Sequence, residues 1–75
     1  MLVKMFENER MGIRVELHKR KNSYVLLHKE CIDASYEIMY KQKIKYCRIA
    51  ASSAFEDHIR YMEDQGVTFP IMKMY

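Results

Sequence analysis

Between positions 13 and 18 the chain alternates without a break. Ile13, Val15 and Leu17 are apolar, and Arg14, Glu16 and His18 are charged or titratable. A repeat of two marks a β-strand with one buried face and one wet face, so the N-terminal half is committed to a sheet. Upstream, Val3 and Met5 read as a short strand entering a turn at Glu7, Asn8, Glu9 and Arg10, and the two strands fit an antiparallel hairpin. Downstream, Lys19, Arg20, Lys21, Asn22 and Ser23 are polar and end in turn formers. Tyr24, Val25, Leu26 and Leu27 then read as a third strand.

Residues 31–50 match two templates. As a strand, Tyr36, Ile38, Tyr40, Ile44 and Tyr46 share one face, and Glu37, Lys41, Lys43 and Lys45 share the other. As a helix, Glu37, Lys41, Lys45 and Arg48 form a charged stripe with Asp33 as its N-cap. The cap and the Glu37–Lys41 pair favour a helix over 34–43, followed by a strand over 44–50. Ser53 and Glu56 have capping-box spacing. Phe55, Ile59 and Met62 recur at helical intervals, and Gly66 stands where a left-handed C-cap residue is needed. These features predict a helix over 54–65. Val67, Thr68 and Phe69 read as a short strand that Pro70 places at an edge or ends. The apolar tail 71–75 is expected to dock or to meet a partner.

The expected architecture is α+β, one domain over residues 1–75. A small antiparallel sheet, an N-terminal hairpin or meander, is packed by one or two helices and has a short C-terminal strand. The path from 44–50 through the helix to 67–69 fits a right-handed β-α-β crossover.

Groups suited to chemistry are few. Cys31 and Cys47 could act as nucleophiles with His18, His28 or His58, and His28 and Cys31 would meet on one helical turn. A nucleophile needs a base in reach and a group that orients the base, and spacing supplies neither. His28 and Cys31 are half of a zinc site, and the other half, Cys47 and His58, is eleven residues apart. The pairs Glu56–Asp57 and Glu63–Asp64 read as solubilising charge. Gly12 and Gly66 are isolated, so there is no phosphate loop. The expectation is a non-enzyme with no metal and no cofactor. Residues 1–6 are apolar, but Lys4 and Glu7 end the run far short of a signal sequence. No apolar run can span a bilayer. Two cysteines do not make a secreted framework. The chain reads as cytoplasmic, without a membrane partner.

Size then points to a partner. A chain of 75 residues buries only about 60–65% of its unfolded surface. Seven Met and six Tyr are more large side chains than so small a core hides, and exposed apolar patches mark binding surfaces. Tyr61, Met62, Phe69, Met72, Met74 and Tyr75, with Met11 and Met39, are the candidate protein-binding residues. The expected function is an interaction module that blocks or recruits a larger protein or associates with itself. Viruses and mobile elements encode regulatory factors of this size. The alternative is a small nucleic-acid-binding regulator. Residues 14–48 carry nine basic and four acidic residues, and residues 49–75 carry a net charge of −2. Lys19, Arg20, Lys21, Lys41, Lys43, Lys45 and Arg48 would make the phosphate contacts.

Overall fold

In the computed structural model, which describes residues 1–75, the elements are β1 (Leu2–Asn8), β2 (Ile13–Lys19), β3 (Ser23–Ile32), β4 (Ser35–Lys45), α1 (Arg48–Asp64) and β5 (Ile71–Met74). All five strands form one antiparallel sheet in the order β4-β3-β2-β1-β5. The first four are a meander. The chain then leaves the β4 edge, crosses one face as α1, and returns at the opposite edge as β5, paired with β1. The fold is α+β with one helix, not two.

Strand alternation decides what the helix covers. Ile13, Val15 and Leu17 of β2, Tyr24 and Leu26 of β3, and Ile44 of β4 face α1. They pack with Ala51, Phe55, Ile59, Val67 and Phe69 into one core. Phe6 joins from β1, its ring edge-on to Phe55 at 5.1 Å.

Residues 34–43 are strand, not helix. Asp33 and Ala34 both have positive φ, 52° and 68°. That is the signature of a two-residue hairpin turn matched to the twist of a β-ribbon. Asp33 is therefore a turn residue and caps nothing. Ser35–Lys45 pairs with β3 along its length, with a bulge at Met39, the β4 residue left between the pairs His28↔Tyr40 and Lys29↔Ile38. Ala34 pays for this turn, since a left-handed non-glycine residue costs about 1–2 kcal/mol. Ala34→Gly removes that strain and adds back about 0.4–1 kcal/mol of unfolded-state freedom. The expected result is a gain of about 0.5–1 kcal/mol in urea unfolding.

The helix begins earlier than the capping-box spacing predicts. Strand β4 ends at Lys45 and α1 starts at Arg48, so the expected strand over 44–50 is half helix. Ser53 lies inside α1. Buried Ala51 extends the Phe55–Ile59 stripe by one turn, and burying that turn outweighs the local cap. The N-cap is Cys47, whose carbonyl accepts from the Ala51 N–H at 2.9 Å. The C-terminal end is as expected: Gln65 caps the helix, and Gly66 follows at φ 92°.

Residues 67–69 are not a strand. Val67 and Phe69 turn into the core, but this backbone joins no ladder, and pairing starts only after Pro70. Asn8 holds the segment in place by donating to the Thr68 carbonyl at 2.9 Å. The tail docks as β5, pairing Lys4↔Met74 through Glu7↔Ile71.

Candidate functional site

The topology gathers basic residues that are far apart in sequence. Strands β2 and β4 run toward one end of the sheet, and β3 and α1 leave from it. That end holds Lys19, Arg20 and Lys21 at the β2–β3 turn, Lys45 at the close of β4, and Arg48 at the start of α1. Ile44 faces the helix, so Lys43 and Lys45 face away, and Lys41 shares their face. These lysines continue the cluster as a stripe along the outer sheet surface. None of the seven cations has a carboxylate oxygen within 4.0 Å.

The opposite end carries Glu9, Asp33, Glu63 and Asp64 at its turns and at the helix C-terminus, with Arg10 beside them. Helices favour acidic side chains in the first turn and basic ones in the last, each by about 0.3–1 kcal/mol. α1 has neither. Arg48 opens it and Asp64 closes it, so side-chain charge adds to the helix dipole instead of cancelling it.

Tyr46 follows β4 at the basic end. It is 55% exposed, stacks on Tyr24 at 5.7 Å, and lies 5.5 Å from the Lys19 ammonium. Next to it, the Cys47 thiol makes no complete cap hydrogen bond. The N–H of Ala50, and then that of Ile49, still favour its thiolate over the opposing effect of burial, and its pKa lies below the ordinary thiol value.

The residues expected to bind protein do not form one patch. Phe69 is only 9% exposed and belongs to the core, against Phe6. Tyr61 and Met62 lie on the flank of α1 that faces β4, where Met39 and Tyr40 also line the surface. Met72, Met74 and Tyr75 are exposed at the other edge of the sheet. Met11 is exposed in the β1–β2 turn.

A histidine pair went unseen in the sequence. His28, which is buried, meets His58 of α1 with Nδ1 2.8 Å from Nε2, and its own Nε2 lies 3.1 Å from Glu30 Oε2. With Glu30 ionised, His28 donates to the carboxylate. One of the two rings donates to the other across the 2.8 Å contact. Tyr40 stacks on His58 at 5.4 Å, nearly parallel. His28 and Cys31, which a helix would bring onto one turn, both lie in β3 and point to opposite faces. Cys31 instead abuts Gly12, where an added Cβ would lie 3.0 Å from the Cys31 Cβ. No group of three or more His, Cys, Asp or Glu is placed to hold a metal ion.

Burial, and secondarily the charge on His28, hold the His58 pKa below 6.5. A lowered imidazole pKa gives stability that is present above the unfolded value and is lost as pH falls through the folded one. Urea midpoints are expected to drop as pH falls below 6.5, and His58→Phe is expected to flatten that limb. Equal slopes in the two proteins would rule His58 out as the cause.

The uncovered sheet face is closed by ion pairs. Glu16 is 5% exposed. Its carboxylate meets His18 at 2.6 Å and Lys29 at 3.1 Å. Burial opposes its ionisation, but these hydrogen bonds and charges outweigh burial and leave its pKa below 4.5. Beside it, Glu7 accepts from Arg14 at 2.9 Å and from the Tyr36 hydroxyl at 2.9 Å. Acidic groups on this face are thus spent internally, and the β4 lysines are left free.

No helix is long and apolar enough to cross a membrane. Comparisons with protein families, curated proteins and solved structures give no match to this chain.

Proposed function

We propose that this chain is a non-enzymatic binding module that grips nucleic acid through its basic end. One observation carries the reading. Lys19, Arg20, Lys21, Lys45 and Arg48 converge from three elements with no acidic partner, at the positive end of a helix whose charges are reversed from the stabilising order. Where a sequence breaks a local rule with no structural gain, function is the common reason. Phosphates neutralise such a cluster and release counterions. Tyr46 offers a stacking surface within it, as single-strand binders use. The test is fluorescence anisotropy with a labelled single-stranded oligonucleotide at two salt concentrations. Affinity that falls steeply with salt supports the reading. No binding at low salt refutes it.

A second reading rests on a different surface. Met39, Tyr40 and Tyr61 are exposed together beside the unpaired edge of β4. A free edge can accept a strand from a protein partner or from a second copy. Here a solution mass above 9.1 kDa that falls to the monomer value in Tyr61→Glu supports self-association. A monomer at all concentrations removes that form of it.

A further inference from the structure

Beside the basic end, between β1, β2 and the first turns of α1, lies a cavity of about 320 Å³. Its floor is apolar: Val3, Leu17 and Tyr24. Its rim carries Lys4, Lys19 and Arg48, each from a different element, together with Met1 and Tyr75. None of the three has a carboxylate within ion-pair distance. Lys4 and Lys19 rest instead over the rings of Phe55 and Tyr46, at 5.2 and 5.5 Å. Such weak contacts are readily exchanged for an anion.

An apolar floor under a cationic rim fits an anion with a flat or greasy body. The number of cations narrows the choice. A carboxylate or an internal phosphodiester carries a single charge. A phosphomonoester carries about −1.5 to −2 at neutral pH and three strong acceptor oxygens. Lys4, Lys19 and Arg48 put three positive charges on one rim, the Met1 ammonium and the Tyr75 carboxylate offset each other, and the balance matches the monoester. The volume lies at the low end of the range of about 300–1,000 Å³ for small-ligand sites, which suits one nucleotide. Tyr24, its ring stacked on Tyr46, lines the floor with Val3 and Leu17 as an apolar wall for a base, and the N-terminal turns of α1 add to the positive potential.

We infer that this cavity holds the terminal nucleotide of a bound strand, with its phosphomonoester on Lys4, Lys19 and Arg48 and its base against the apolar floor. The inference rests on the nucleic-acid reading above and adds to it a preference for phosphorylated ends.

The test compares one single-stranded oligonucleotide with a 5′-phosphate, with a 3′-phosphate and with neither, by anisotropy on the full chain. A phosphate on one end is expected to tighten binding by about tenfold or more, the scale of a charge-assisted hydrogen bond. Lys4→Ala and Ser52→Phe, the second narrowing the cavity from α1, are expected to lose that preference and to keep affinity for the unphosphorylated strand. Arg20→Ala with Lys21→Ala is expected to weaken all three strands alike and to keep the preference. If the wild type binds all three equally, the cavity assignment is overturned and the basic-end reading stands. If it binds none, the basic-end reading and this inference both fall; where strands do bind, titration with adenosine monophosphate reads the cavity separately. Saturable NMR shifts at Leu17 and Ala51 would support it, and their absence would overturn it.

Discussion

Phe55→Ala is expected to cost about 3–5 kcal/mol of folding stability, the range for removing a buried aromatic ring. Phe55 is 1% exposed at the centre of the helix–sheet contact. It meets Phe6 edge-on and has the Lys4 ammonium over its ring. A core of this size supplies about 3–5 kcal/mol in total, so the variant is expected to be largely unfolded at room temperature. Circular dichroism in a urea titration checks this. A midpoint close to wild type would mean that α1 does not hold the sheet together.

Replacing Lys19, Arg20 and Lys21 by glutamate is expected to lower nucleic-acid affinity by roughly 100-fold near 0.1 M salt. Each single-strand phosphate contact contributes about 0.7 to the log–log salt slope, so loss of three contacts lowers the slope by about 2. The β2–β3 turn lies outside the core, and the only backbone bond Arg20 makes there is to the Ser23 carbonyl at 2.7 Å, which any side chain permits. The fold is therefore expected to survive, and thermal unfolding of the variant checks that it does. Unchanged affinity and slope would place the contacts elsewhere on the molecule.

The strands that alternate cleanly were legible in the sequence, and β4 was not. A strand pattern is readable there, but the bulge at Met39 shifts the alternation by one residue partway along, so that Tyr36 reaches Glu7 on the uncovered face while Tyr40 and Ile44 face α1. The turn before it is Asp33-Ala34, which lacks the glycine that usually announces a two-residue hairpin. Without that signal, Glu37 and Lys41 looked like a helical pair. The start of α1 was misplaced for a related reason. A capping box is local, and the burial of Ala51 that overrides it depends on Leu17 and Tyr24, distant in sequence. The basic segments were legible as segments. Their convergence was not, because it depends on β4 pairing with β3 and so bringing Lys45 opposite Ser23. His28 and His58 are thirty residues apart, and no spacing rule relates them.

The outermost strand, β4, is eleven residues long and has no neighbour on one side. A straight, greasy border of that length would recruit further chains and grow fibrils. The kink at Met39 bends it, and Lys41, Lys43 and Lys45 make like copies repel. The same three lysines that the proposed function assigns to phosphates thus also oppose edge-to-edge growth. Neutralising them is expected to weaken both that protection and the proposed grip on a polyanion.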